Sequence, residues 1–233
     1  AMAAMSDSTL PAVVVEEIRS EPRNKIRLFR GKTVSKQTAS VSAEISGRVV
    51  SRPVERGTRV LEGQVLCEIS IDDRLAMVNE ALATVSEAQI EYDGALALHS
   101  DGLLAEAQLA KLAARLESAK ANLLRRELDL RRTKIAAPFS GVVEEQPLVV
   151  GDLARVGDVC ATLINLNPIL VEISVSERDV GALRLGDVAS ARTSNGKYVE
   201  GTITFVGNQS DDVTRTYLVE ITIPNPDYEI RAG

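Results

Sequence analysis

Ile45-Ser46-Gly47-Arg48-Val49-Val50, followed by Pro53, Gly57, Gly63 and Val65, returns about 94 positions later as Phe139-Ser140-Gly141-Val142-Val143, followed by Pro147, Gly151, Gly157 and Val159. The offset holds without a gap. Such a period is read before any local motif, because a repeated unit that cannot bury its apolar face alone implies a partner unit. Each copy reads as short strands of alternating apolar residues, punctuated by glycines where a turn needs positive φ or close backbone approach. The pair predicts two halves of one small β-sandwich related by a pseudo-twofold axis.

Between the copies lie residues 72–132, rich in Ala, Leu, Glu, Gln, Arg and Lys, all good helix formers. Leu75, Val78, Leu82 and Val85 are spaced three and four apart, and Tyr92 and Leu96 continue the rhythm. Leu109, Leu112, Leu116, Ala119, Leu123 and Leu130 repeat it on the far side of Ser100-Asp101-Gly102, with Arg126 at one seam position. Two equal arms around a short break predict an antiparallel coiled coil, each arm about 28 residues and roughly 40 Å long. No third helix is available to cover it, so its outer faces meet solvent or another protein. A rod of this kind is an interaction device.

Beyond Asn167-Pro168 the sequence turns β-rich, with strands expected over residues 169–175, 187–191, 198–206 and 217–223. A short helix is expected over 176–185, with Gly186 ending it. Several antiparallel strands and one small helix predict a closed or nearly closed barrel, to which residues 26–34 add a strand.

Composition removes whole classes of function. The 233 residues carry 27 Lys+Arg against 33 Asp+Glu, a net charge of -6. A nucleic-acid binder needs a basic face, and none is expected here. Aromatic residues make up only 3% of the chain, which favours several slim modules over one thick core. No apolar run reaches the roughly 18 to 20 residues of a spanning helix. One His and two Cys cannot supply the four Cys/His ligands of a structural zinc site, and no glycine-rich phosphate cradle is present. No cofactor is expected, and no enzymatic activity. His99, beside the Gly-containing break, reads first as a solvated loop residue, with a pH sensor or catalytic base as the alternative. Cys67 lies in phase with Val65 and Ile69, whereas Cys160 is one residue out of phase in the second copy. That shift points them to opposite faces, so both are expected as small hydrophobes without a mutual disulfide, and they leave the redox compartment open.

The pattern running through residues 46–66, and again from Ser140-Gly141-Val142-Val143, resembles the lipoyl or biotinyl carrier fold. In carriers the halves meet in a tight turn bearing a modified Lys. Here Ile69-Ser70-Ile71-Asp72-Asp73-Arg74 has no Lys and the insertion replaces the turn, which disfavours a carrier enzyme subunit. Asn167-Pro168-Ile169-Leu170-Val171, Leu183-Arg184-Leu185-Gly186, Gly201-Thr202-Ile203, Asp212-Val213-Thr214-Arg215-Thr216 and Pro224-Asn225-Pro226-Asp227-Tyr228-Glu229-Ile230-Arg231-Ala232-Gly233 follow in order. Together with the split repeat they resemble the periplasmic adaptors, or membrane fusion proteins, of resistance-nodulation-division-type tripartite efflux pumps, over nearly all of residues 11–233.

The resemblance implies a mainly β, elongated molecule: a lipoyl-like sandwich split by a coiled-coil hairpin, and a β-barrel domain. It divides the chain into a tag or disordered segment (1–10), a first strand of an otherwise missing membrane-proximal domain (11–21, including Pro11-Ala12-Val13-Val14-Val15), a barrel (22–38 with 167–233, incomplete at its end), a lipoyl-like domain (39–71 with 133–166) and the hairpin (72–132). The 11–21 strand is expected to be loosely ordered or paired non-natively, since its partners are absent. The family's function implies an inner-membrane proton-driven transporter and a TolC-type outer-membrane channel as partners. It also implies self-association, as a hexamer in the assembled pump, and location in the periplasm at the inner membrane. An adaptor of an ATP-driven or major-facilitator exporter shares the modules and is the alternative. The implied docking residues are Leu98, His99, Gly102, Leu103, Leu104 and Ala105 at the hairpin tip, and Arg215 on the transporter-facing barrel; Arg215 reads alternatively as an exposed strand-end Arg beside a local carboxylate such as Asp211 or Asp212. Of the family's Arg-xxx-Leu and Ser docking pattern, aligned on Gly94, Leu98 and Ala105, only Leu98 matches. Leu103 and Leu104 read equally well as packing into their own hairpin.

Overall fold

In a computed structural model, described here for residues 14–19, 26–193 and 196–233, the two copies of the repeat interlock. The first supplies β2 (Gly47–Ser51), β3 (Arg59–Val60) and β4 (Val65–Ile69); the second supplies β6 (Gly141–Glu145), β7 (Leu153–Ala154) and β8 (Val159–Ser176). Each donates its short strand to the other's sheet. Gly47 and Arg48 pair with Ala154 and Leu153, and the equivalent Gly141 and Val142 pair with Val60 and Arg59. The loop hydrogen bonds obey the same symmetry. Val49 N donates to Asp152 O at 2.8 Å and Val143 N to Thr58 O at 3.0 Å; Gly63 N donates to Ala137 O and Gly157 N to Ala43 O, both at 2.8 Å. Equivalent residues meet in one core: Val49 with Val143, Leu66 with Cys160, Cys67 with Ala161, Ile69 with Leu163, all essentially solvent-free. The glycines at the strand starts are steric. A Cβ on Gly141 would lie 2.5 Å from the Ile164 carbonyl oxygen, closer than any side-chain carbon approaches a backbone oxygen.

One expectation is overturned in this core. Cys67 and Cys160 form a disulfide, with their Cα atoms 6.4 Å apart. Alternation would have pointed them apart, but it is broken at the same place in both copies. Against β5 (Lys134–Ala136), Val65 faces Ala136 and Cys67 faces Ile135, so Leu66 is an extra residue. Against β1 (Gly31–Ser42), Val159 faces Ser42 and Ala161 faces Val41, so Cys160 is the extra one. A bulge lets two consecutive residues turn to the same side.

The strands β5-β4-β2-β7 form one sheet of the sandwich, and β3-β6-β8 belong to the other. β8 and β1 do not stop at the edge of the sandwich. They run on, antiparallel, from Ser42 opposite Val159 to Gly31 opposite Ile173, so a single ribbon enters the second core of Ile169, Val171, Ile173, Val175, Val219, Ile221 and Ile223. There β8 continues into β11 (Thr216–Ile223), β10 (Tyr198–Ser210) and β9 (Val188–Arg192). No ladder joins β9 to β1 among the described residues, so this is an open half-barrel where a closed or nearly closed barrel was expected. The chain end covers the free side of β1: Gly233 N donates to Thr33 O at 2.8 Å and Thr33 Oγ1 to Arg231 O at 2.7 Å.

Other local expectations are corrected in detail. The helix expected over 176–185 is a single turn, α3 (Glu177–Val180); Gly186, at φ 90°, serves the turn that follows, where Asp187 accepts from Arg184 N at 2.8 Å. The strand expected over 26–34 starts at Gly31 and extends to Ser42. The 11–21 segment lies partly outside the described residues, and its described part, 14–19, forms no strand.

Candidate docking surfaces

The insertion folds as α1 (Arg74–Ser100) and α2 (Glu106–Arg131), of 27 and 26 residues. They run antiparallel, held by Arg115 against Glu91 at 2.6 Å midway and by Arg126 donating to the Met77 sulfur at 3.8 Å near the foot. Their foot is pinned to the sandwich by Arg74, which donates to Ser46 O at 2.9 Å, and by Arg132, which pairs with Glu44 at 2.8 Å. Beside these pins runs an open groove of about 430 Å³ lined by Glu44, Ile45, Arg74, Met77, Arg126 and Asp129.

The seam of α2 is the one expected: Leu109, Leu112, Leu116, Ala119, Leu123 and Arg126 are its inward residues. The seam of α1 keeps the expected Val78, Val85 and Tyr92 but sets alanines, not the leucines, between them. Ala81, Ala88 and Ala95 are buried, with Val78, Val85 and Tyr92 between them. Leu75, Leu82 and Leu96 are 53, 55 and 45% exposed. Large leucines on α2 fill the space opposite small alanines on α1, as packed layers require. The leucines of α1 are thereby left as a stripe along its outer side. Ala76, Ala83, Ile90 and Ala97 lie beside them, and the charge on that face is Asp93, which accepts from Gln89 Nε2 at 2.8 Å.

At the far end the turn is closed by backbone geometry. Gly102, at φ 74°, takes the left-handed position after α1. Its N–H donates to His99 O at 3.0 Å and that of Leu103 to Leu98 O at 2.9 Å, the paired bonds that satisfy helix-end carbonyls. His99 is no solvated loop residue. It sits in the last turn of α1, half-buried, and its Nδ1 donates to Leu104 O at 2.8 Å. That bond ties the end of α1 to the entry of α2, where Ala105 is the cap residue. The two readings of the leucines divide between them: Leu104 is half-buried, whereas Leu103 is 73% and Leu98 47% exposed.

Arg215 lies in the loop between β10 and β11, at the end of the half-barrel where Thr216 pairs with Ser176. Asp211 organises that loop by accepting from Thr214 N at 2.8 Å, Thr214 Oγ1 at 2.9 Å and Val213 N at 3.0 Å. These bonds, the Thr214 backbone N–H first, hold its carboxyl below the usual carboxylate range. Arg215 itself adopts φ 50° and is exposed, with no ion pair among the described residues. It is presented to solvent next to Val213.

A surface absent from the sequence reading emerges when the two copies are superposed position by position. Val149, Val150, Leu153 and Val156 are all about half exposed or more. Their equivalents in the first copy are Glu55, Arg56, Arg59 and Glu62; the reverse occurs at Leu61 against Arg155 and at Val50 against Glu144. Identical backbone turns therefore tolerate charge at these places, and folding does not require the apolar residues. The charged edge is occupied: Arg59 stacks on Tyr228 at 4.3 Å and donates to Asp227 O. The repeat itself contained the signal, in the positions where the copies differ.

Among the described residues no helix is long and apolar enough to cross a membrane, and no three His, Cys, Asp or Glu side chains group as metal ligands. The family model for the barrel-sandwich hybrid domain of RND membrane fusion proteins matches residues 37–166, more than half of the chain, and that for the CusB-like β-barrel domain matches 168–233. The chain belongs to the RND membrane fusion protein family. Among its relatives, the cation efflux system protein CzcB of Alcaligenes sp. strain CT14 is 27% identical over 84% of this chain and 41% of its own length. The multidrug efflux pump subunit AcrA of Escherichia coli K12 is 26% identical over 96% of this chain and 64% of its own. The chain thus spans less than half the length of CzcB. Two solved structures share the fold. A MacA–MexA chimera containing the Pseudomonas aeruginosa MexA α-hairpin domain has TM-score 0.73 at 24% identity, covering 87% of this chain and 75% of that one. An efflux transporter structure from Bacteroides eggerthii DSM 20697 has TM-score 0.76 at 20% identity, covering 88% and 65%.

Proposed function

We propose that this membrane fusion protein is the periplasmic adaptor of a proton-driven tripartite efflux pump, joining an inner-membrane transporter to a TolC-type outer-membrane channel. Its role is assembly and sealing of a duct for small molecules, without chemistry of its own, in the periplasm at the inner membrane. The observation that carries the reading is the RND-type family match across the split sandwich and its inserted helices. Three features support it. Leu98 and Leu103 stand outward at the tip, where exposed leucines are costly unless covered. Arg215 stands outward in the loop between β10 and β11 of the half-barrel. The leucine stripe of α1 and the exposed Val149, Val150, Leu153 and Val156 are faces fitted for neighbouring adaptors in a hexamer. The chain then consists of a lipoyl-like domain (39–71 with 133–166), a barrel (22–38 with 167–233) and a coiled-coil spike (72–132). The RND family match favours this over an ATP-driven or major-facilitator partner.

The test is Leu98→Asp with Leu103→Asp in the full-length protein. Pump-dependent resistance is expected to be lost at unchanged protein level and helicity; resistance retained at the wild-type level would remove the tip from the account.

A further inference from the structure

The Cys67–Cys160 bond spans 93 positions and joins the two copies of the repeat to each other. Both residues are fully buried, one in each half of the sandwich, and no free cysteine is left in the chain. The loop it closes contains α1 and α2 entirely. Two consequences follow from this placement. A sulfur with no solvent-accessible surface is out of reach of any external disulfide once the sandwich has closed. And a link between distant positions restricts the unfolded chain far more than the folded one.

We propose that the chain is a client of a protein dithiol oxidant in an oxidising compartment, acting before the sandwich closes, and that the resulting bond locks the base from which the helices spring. One cysteine thiolate attacks the oxidant's disulfide, forming a mixed disulfide and releasing one oxidant thiolate. The second cysteine thiolate then attacks the sulfur of the first, forming the Cys67–Cys160 bond and expelling the oxidant as its dithiol. Two electrons pass to the oxidant, and the two protons given up by the cysteines are taken up, through water, by its two sulfurs. Disulfides of this kind belong to exported proteins. The lock thus agrees with the periplasmic reading without depending on the pump assignment: a free-thiol protein in the periplasm would end the lock and leave the adaptor reading intact.

The experiment compares the same chain recovered from the periplasm and from a reducing cytosol, each alkylated under denaturing conditions and weighed. No alkylated cysteine is expected in the first and two in the second. Urea titration of the two forms is expected to separate their midpoints, the bond raising the folded-to-unfolded ratio by roughly a hundredfold or more. Cys67→Ala with Cys160→Ala should unfold at the midpoint of the reduced form, or lower. Oxidised glutathione added to the folded reduced chain is expected to form the bond more slowly than when added in urea before refolding. Two free thiols in the periplasmic protein, or coincident urea transitions of the oxidised and reduced forms, would overturn the proposal.

Discussion

Asn225 is a buried amide that ties the end of the chain to β8 at the edge of the second core. Its Nδ2 donates to Leu166 O and to Ile230 O, both at 2.9 Å, its Oδ1 accepts from Ile230 N at 3.1 Å, and its own N–H goes to Asn167 Oδ1 at 3.0 Å. Asn225→Ala leaves carbonyls and an amide in the interior without partners, which costs about 3 kcal/mol in all; the denaturant midpoint is expected to fall accordingly. Asp211 carries a pH prediction. Its folded pKa lies below the ordinary carboxylate value because Thr214 and Val213 donate to it. Its contribution is therefore complete above the unfolded value of about 4 and is lost as pH falls through the lower folded value. Amide exchange at Val213 and Thr214 is expected to quicken below about pH 4 beyond its intrinsic pH trend. Asp211→Asn should flatten that extra response; an unchanged response would assign it to another group.

At the scale of elements, the strand glycines and the helix seam were visible in the sequence to different degrees. Gly47 and Gly141 stand out because the repeat keeps them. Gly141→Ala drives a methyl into the Ile164 carbonyl, which no rotamer relieves, and the expected loss is about 1 to 3 kcal/mol by urea titration. The α2 seam followed from its leucines, whereas in α1 Val78, Val85 and Tyr92 were read correctly and Leu75, Leu82 and Leu96 stand one residue away from the inward alanines. Two apolar registers lie side by side there, and leucine outweighs alanine when hydrophobicity alone is counted. The choice is made by α2, whose leucines need small residues opposite. The consequence is testable. Leu116→Ala, in the seam, is expected to destabilise the helix pair by about 2 kcal/mol or more, while Leu82→Glu, on the outer stripe, stays within about 0.5 kcal/mol and instead weakens self-association by sedimentation. Equal destabilisation by both would restore the leucine seam. The disulfide escaped for a similar reason: alternation is a rule for regular strands, and two bulges at equivalent places suspend it.

The whole molecule is organised by a ribbon, β1 with β8, that passes from the sandwich into the half-barrel through an irregularity between Asn165 and Ile169. The change of composition at Asn167-Pro168 hid the continuity, because alternation lapses there, where Ser35 faces Ile169 and Gln37 faces Asn165, and resumes in the same strand. The repeat, the inserted helices and the order of the barrel strands were all readable, since each rests on periodicity. The open edge was not readable, because closure depends on which strands meet in space.

The most direct test of the bridging role is site-specific photo-crosslinking in living cells, with a benzophenone amino acid placed at Leu103 or Arg215 of the full-length protein. The account predicts an adduct with an outer-membrane channel from position 103 and with an inner-membrane transporter from position 215; the opposite pairing, or adducts with neither membrane's proteins while the protein is present and folded, would contradict it.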